Sequence, residues 1–230
     1  MQTLLAIECS SHVSAVAYIN DIDRPDEWIG EMSRNDVKAS TWLLPAIDRV
    51  LLRANARKTD VKIVAFGAGP GSFTGVRTAC ATAQALAYSW QASLIAVDCL
   101  EALAEASGLA QIDVVLDARM KALYAASLTR VSDGQLRRDA ATALVAVDEF
   151  SARMGATLLG SGARLVGAAS DALTGTAEDR WAYGVARVAI RKFARGETAD
   201  PLRAEPRYVR NDVAQTEAQR GVDALAGARA

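Results

Sequence analysis

Residues 62–89 constrain the fold more than any other stretch: an apolar run over 62–66 enters Gly67-Ala68-Gly69-Pro70-Gly71-Ser72-Phe73-Thr74-Gly75 and leaves it into a series of small side chains. A strand, a sharp glycine loop and a helix in that order make a βα unit, which places the next apolar run, 93–97, parallel to the first strand and the chain among α/β proteins. Upstream, the runs 4–7 and 13–19 read as strands on either side of the polar turn Glu8-Cys9-Ser10-Ser11-His12, with 28–32 as a third antiparallel strand. Leu43, Leu44, Ile47, Val50, Leu51 and Ala54 recur at helical spacing. Pro45 lacks a backbone donor, so the regular helix is expected to begin nearer Leu44 than Ser40.

A further helix over 100–106 closes this half, and after Gly108 the pattern restarts. Strands are expected at 112–116 and 123–128, a hairpin at Asp133-Gly134 with 135–140 pairing back, a short helix over 148–154, a strand at 157–159 and a helix over 181–194. Hairpin strands first and helices later repeats the order of the first half, which implies two duplicated lobes. The expected division is 1–105 plus about 208–230 for one lobe and 106–207 for the other. The polar, alanine-rich tail from Asn211 is expected to fray.

Composition removes several functions. Lys plus Arg is 26 against 27 Asp plus Glu, a net charge of −1, which excludes a polybasic nucleic-acid arm. With His12 as the single histidine, a Ser/His/Asp triad, a Cys/His dyad or a histidine metal site has only that residue to build on. Three cysteines, Cys9, Cys80 and Cys99, form no CxxC pair and fit a reducing cytoplasm. No basic residue precedes the first apolar run, so no signal peptide is read there. The uncharged stretch 78–97 is broken by Gln84, Ser89, Gln91 and Ser93 and reads as helix then strand, with no membrane span.

The glycine loop fails both phosphate-binding templates. A GxGxxG starting at Gly67 or Gly69 meets Ser72 or Thr74 where glycine is needed, and no lysine lies between Lys62 and Lys121 for a P-loop. Its structural use is to turn the chain, with Ser72 or Thr74 capping the helix. Glu8, Ser10 and Ser11 suit either a polar turn or a phosphate or metal site, and His12 carries the same two readings. The helix that follows is small on two faces, Thr74, Thr78, Ala81 and Ala85 on one and Val76, Cys80, Ala83 and Ala87 on the other. One face suits its own sheet; the other suits either the 44–54 helix or a helix of another chain.

The blocks Leu4-Leu5-Ala6-Ile7-Glu8-Cys9-Ser10-Ser11, Leu43-Leu44-Pro45-Ala46-Ile47-Asp48, Gly69-Pro70-Gly71-Ser72-Phe73-Thr74-Gly75-Val76-Arg77, Val97-Asp98-Cys99-Leu100-Glu101-Ala102-Leu103, Leu116-Asp117-Ala118-Arg119 and Tyr208-Val209-Arg210-Asn211 together resemble the TsaB (YeaZ) family. The resemblance runs from residue 4 to residue 214, and GPGSFTG-x-R is its specific block. It implies an ASKHA (actin/Hsp70-like) α/β fold of two RNase H-like lobes with mixed sheets. It also implies a noncatalytic subunit of the complex that installs threonylcarbamoyl on N6 of adenosine 37 in tRNAs reading ANN codons. The implied partners are the paralogue TsaD, as a heterodimer, and the small ATPase TsaE, with tRNA held mainly through the complex and self-pairing of the free protein through the same helices left open. The first lobe would carry the docking helices, with the partner interface at Leu43, Leu44, Ile47, Phe73, Thr74, Arg77, Thr78 and Ala81. Family members commonly hold Asp then Thr after the first strand, where this chain has Glu8 and Cys9. Glu8, Ser10 and Ser11 are then a vestigial nucleotide site, no cofactor is required by this chain, and ATP or ADP with Mg²⁺ is left a place only at a composite interface. Two rival readings are an ATP-dependent small-molecule kinase or ATPase using Glu8 with Ser10 and Ser11, and a peptidase using His12.

Overall fold

The computed structural model describes residues 2–34, 37–168 and 180–210. The tail beyond Arg210, for which fraying is expected, lies outside the described residues. The first sheet is ordered β3-β2-β1-β4-β5, from β1 (Leu4–Glu8), β2 (Ala15–Ile19), β3 (Trp28–Met32), β4 (Ile63–Gly69) and β5 (Ser93–Asp98). Strands β1, β2 and β3 pair antiparallel, while β4 runs parallel to both β1 and β5, as the βα reading requires.

Period-two alternation sends the two faces of this sheet into different layers. Leu5, Ile7, Val16, Tyr18, Val64 and Phe66 meet α1 (Ala39–Arg53) and α2 (Phe73–Trp90). Leu4, Ala6, Ala17, Ile19, Ile63 and Ala65 meet α3 (Cys99–Ser107) and α4 (Trp181–Ala194). Helix α1 begins at Ala39, about a turn earlier than the proline suggested. Pro45 stands on the exposed side, so the carbonyl of exposed Thr41, which loses its intrahelical donor, can be hydrated.

The second sheet is ordered β10-β6-β7-β8, with β9 also on β7. Its strands are β6 (Gln111–Asp117), β7 (Ala122–Arg130), β8 (Leu136–Arg138), β9 (Ala143–Ala146) and β10 (Thr157–Leu159). An antiparallel trio with a parallel strand beside its first member repeats the order of the first sheet. Ile112, Val114, Leu116, Ala126 and Leu128 close onto the same core as α3 and α4, so these helices lie between the sheets. Their backbones approach closely: a Cβ on Gly184 would come within 2.1 Å of the Ala102 carbonyl oxygen.

Two expectations over 140–160 are corrected. Strand β9 was not anticipated, and the short helix over 148–154 is a turn followed by irregular chain. Arg153 provides the physical reason. Its amide and its Nε donate to the two oxygens of the buried Asp113 carboxylate, each at 2.7 Å, and Nη2 donates to the carbonyls of Ile112 at 2.8 Å and Leu128 at 3.0 Å. These partners on two strands outweigh the local helix preference.

Helix α4, expected with the second lobe, packs across β1, β2 and β5 of the first sheet. From there the chain returns as a strap: the Ala199 amide donates to the Leu94 carbonyl at 2.8 Å, and the Arg207 amide to the Ala68 carbonyl at 2.7 Å. The return therefore begins ahead of the expected position near Tyr208.

Glu105 ties the layers together. Its buried carboxylate reaches Arg191 of α4 at 3.1 Å, Arg130 of β7 at 3.3 Å and Arg187 of α4 at 3.6 Å. Removing a buried carboxylate strands its cations, a loss of about 3 kcal/mol. Glu105→Ala is expected to lower unfolding free energy by about that amount in urea titrations, whereas Glu27→Ala, on an exposed ion pair, should change it by less than about 0.5 kcal/mol.

Candidate functional site

The glycine loop is built for close approach to the β1–β2 turn. A Cβ on Gly75 would fall 1.8 Å from the Cys9 carbonyl oxygen, and one on Gly71 would fall 2.5 Å from Ser10 Cβ. The Ser72 amide donates to the Ser10 carbonyl at 2.6 Å, and Ser72 Oγ caps α2 by accepting from the Gly75 amide at 3.4 Å. The loop thus fastens α2 to the first hairpin.

This contact forms one wall of a cleft of about 660 Å³ between the lobes. Ser10, Ser11, His12, Ser72, Phe73 and Thr74 line it from the first lobe, Asp117, Ala118, Arg119, Met120 and Ser161 from the second, and Arg207, Tyr208 and Arg210 from the strap. The two equivalent hairpin turns, β1–β2 and β6–β7, therefore face one another. The second holds Arg119, Met120 and Lys121 at φ of 63°, 52° and 56°, a left-handed run without glycine. Asp117 organises it, accepting from the Arg119 amide at 2.7 Å and pairing with its guanidinium at 3.2 Å.

Ser10 and Ser11 reach the cleft, but Glu8 does not line it. Its carboxylate is buried beneath Gly67, where a Cβ would lie 2.0 Å from Oε2, and Oε1 accepts from the Ser10 amide at 2.5 Å. Burial without a countercharge pushes the Glu8 carboxyl above its ordinary 4.5, and the hydrogen bonds from Ser10 only partly oppose this. Burial likewise drives the Cys9 thiol up to about 12, leaving almost no thiolate near neutral pH. Asp117, the carboxylate that lines the cleft among the described residues, is already engaged by Arg119. Among the described residues no group of three or more His, Cys, Asp or Glu side chains gathers to hold a metal, and no helix is long and apolar enough to cross a membrane.

The expected interface residues separate by helical phase. Leu43 and Ile47 are 1% and 2% exposed and belong to the first core, a correction to their assignment as surface, whereas Leu44 is 54% exposed. On α2, Thr74, Arg77, Ala81 and Ala85 face out with Thr78 half-buried among them, while Val76, Ala79, Cys80, Ala83 and Ala87 are buried. Exposed Phe73 carries the Arg77 guanidinium 3.8 Å above its ring, and Arg77 Nε donates to the Tyr208 hydroxyl at 2.8 Å. Sequence reasoning did not place 117–120 and 207–210 around the cleft. The pointer was their presence, in part, within the blocks that carry the family resemblance.

Two RNase H-like sheets of the same strand order, flanking shared helices and a cleft, define an ASKHA-type protein. A family model described as TsaD: tRNA N6-adenosine threonylcarbamoyltransferase matches residues 36–215. The tRNA threonylcarbamoyladenosine biosynthesis protein TsaB of Escherichia coli (strain K12) is 30% identical over 191 residues, covering 75% of this chain and 80% of that one. The protein of the same name from Haemophilus influenzae is 35% identical over 133 residues, covering 56% of this chain and 54% of its own. YeaZ from Pseudomonas aeruginosa superposes with a TM-score of 0.77 at 25% identity, over 90% of this chain and all of that one. The chain belongs to the TsaB (YeaZ) family of threonylcarbamoyladenosine biosynthesis proteins.

Glu8 gives this site a pH signature. Its folded pKa lies above 4.5, so the native state holds the proton more tightly than the unfolded chain. Its stability contribution is complete below that value and is lost as pH rises through the folded pKa. Glu8→Gln is expected to be more stable than the parent at pH 8 and to lose that advantage at pH 4, read by denaturant unfolding at both.

Proposed function

We propose that the chain acts as the noncatalytic scaffold or activator subunit of the complex that places threonylcarbamoyl on N6 of adenosine 37 in tRNAs reading ANN codons, by docking on TsaD as a heterodimer. The observation that carries this reading is the uncovered face of α2. Thr74, Thr78, Ala81 and Ala85 form a stripe of small side chains, flanked by exposed Leu44, Phe73 and Tyr88. Small residues let helix axes approach to about 8 Å, and the apolar flank excludes water around the contact.

Kinship supports the choice of partner. The family model matching this chain is the TsaD one, so a TsaD protein presents a related pair of helices. Two related surfaces can meet about a pseudo-twofold axis in a four-helix contact. That contact would set the angle between the partner's lobes and hence the shape of its cleft. The same symmetry permits self-pairing of the free protein, which TsaD would displace. TsaE would join the assembled pair, in the cytoplasm, and a net charge of −1 leaves tRNA to be held mainly by other subunits.

A kinase or ATPase would use an acid toward magnesium, but Glu8 lies under Gly67 and Asp117 is paired with Arg119. A peptidase using His12 would want an activated nucleophile, and Cys9 is the opposite of one. Both compare poorly with the scaffold. Any ATP or ADP with Mg²⁺ belongs to a composite interface with the partner rather than to this chain alone.

Ala81→Arg puts a long cation in the middle of the small-residue stripe, on a position exposed in the monomer. It is expected to abolish a one-to-one complex with TsaD in size-exclusion chromatography with light scattering, with the monomer's thermal midpoint within about 2 °C of the parent's. Native complex formation by this variant would place the docking face elsewhere.

A further inference from the structure

Arg77 is the one charged residue of α2 and stands one helical turn before Ala81, bordering the stripe of Thr74, Thr78, Ala81 and Ala85. Arg119 pairs with Asp117, Arg207 with Asp98, and Arg49 and Arg53 of α1 with Glu31. Arg77 has no carboxylate partner among the described residues, yet its position is fixed. Its guanidinium carbon lies 3.8 Å from the centre of the Phe73 ring, and Nε donates to the Tyr208 hydroxyl at 2.8 Å. These contacts occupy one face and the Nε edge of the group, and its two Nη nitrogens make no hydrogen bond among the described residues. An arginine held in this way keeps its end-on pair of donors for a planar acceptor with two oxygens, and little side-chain freedom is left to lose when that acceptor arrives.

Covering α2 changes the electrostatics of this side chain. Exposed in the monomer, Arg77 is solvated by water; a partner seated on the stripe removes that water, and a desolvated cation left without an anion opposes binding. A second copy of this chain brings no free anion on its own docking helices. Helix α2 contains no acidic residue, and the single acid of α1, Asp48, pairs with Lys58 at 2.8 Å. Self-pairing across this face therefore covers two unmatched cations, whereas a different partner bearing one carboxylate neutralises the one it covers.

We propose that Arg77 selects the partner: the TsaD surface that meets α2 presents an aspartate or glutamate carboxylate to the two Arg77 Nη groups, and the lack of such a group in a second copy makes the self-pair the weaker one. This inference rests on the docking reading above, and adds to it the charge of the partner and the preference for one pairing over the other.

The test is calorimetric titration of the full chain with TsaD at about 50 mM and about 300 mM salt, alongside sedimentation equilibrium of the chain alone. Arg77→Gln keeps a planar polar end without the charge. It should weaken TsaD binding by roughly tenfold or more, the share of one hydrogen-bonded charge pair, and lose most of the salt dependence shown by the parent. The same variant should self-associate as tightly as the parent or more tightly. Arg77→Lys should recover part of the affinity for TsaD, and Arg77→Glu should give no complex at the same concentrations. Tyr208→Phe removes the hydrogen bond to Arg77 but keeps the cation, and should stay within about threefold of the parent. Binding of TsaD by Arg77→Gln within about twofold of the parent, a complex with Arg77→Glu, or an equal loss of TsaD binding and self-association in Arg77→Gln would each overturn the proposal. Ala81→Arg separates the two claims. If it abolishes the complex while Arg77→Gln leaves it intact, the docking face stands and the carboxylate falls; if both variants bind like the parent, or the parent forms no complex, the docking face falls and this inference with it.

Discussion

The contact between the glycine loop and the first hairpin turn is the constraint on which the rest of the architecture depends. The carbonyl of Cys9 occupies space that any side chain at Gly75 would need, and the Ser10 carbonyl takes the amide that opens α2. Because the turn and the helix are locked at van der Waals distance, the direction of α2 across the first sheet is set by backbone rather than by adaptable side chains. Its buried stripe of Ala79, Ala83 and Ala87 then lies flat on Val64 and Phe66. The same lock closes one wall of the cleft and seals Glu8 beneath Gly67. The glycine loop, which fails both phosphate-binding templates, is used here to bring two backbones together.

This explains why some of the molecule was readable from sequence and some was not. The βα unit, the antiparallel trio and the duplicated order depend on periodicity and turn chemistry, which are local, and the corresponding elements form at nearly the expected positions. The two faces of α2 are separable by 3.6-residue spacing, and the resemblance indicates which of them faces out. The same spacing puts Leu43 and Ile47 on the buried side of α1 with Val50 and Leu51 while Leu44 falls outside; the resemblance implies a docking helix and does not by itself assign its phase. The stretch around Arg153 was not readable, because its conformation is decided by carbonyls and carboxylates on strands far away in sequence. The left-handed run Arg119–Lys121 contains no glycine or asparagine to announce it.

Electrostatics divides the two lobes' junction into a closed part and an open part. On the closed side, Glu105 gathers cations from β7 and α4 around a buried carboxylate, and Asp98 both caps α3, accepting from the Leu100 amide at 2.9 Å, and pairs with Arg138 at 3.1 Å. These acids are satisfied by fixed partners and hold the shared helices between the sheets. On the open side, Asp117 is the acid that lines the cleft among the described residues and it is already paired with Arg119, while Glu8 lies beneath Gly67. A magnesium-dependent phosphoryl site has the opposite bias, toward carboxylates free to take a cation.

The uncovered face of α2 follows from the same backbone lock. A helix held close to its sheet by glycine and alanine has little side-chain bulk to present on either side, so its outer face is flat and shallow. Flatness allows another helix to approach closely, but it contributes little apolar area for self-burial within one chain. The larger apolar groups that border it, Leu44, Phe73 and Tyr88, stand on three different turns and do not cover one another. Arg77, laid over Phe73 and bonded to Tyr208, joins this face to the strap and hence to the cleft. A partner seated on α2 would therefore press on a side chain whose hydrogen bond reaches the cleft wall, giving the two surfaces a direct physical connection through Arg77 and Tyr208.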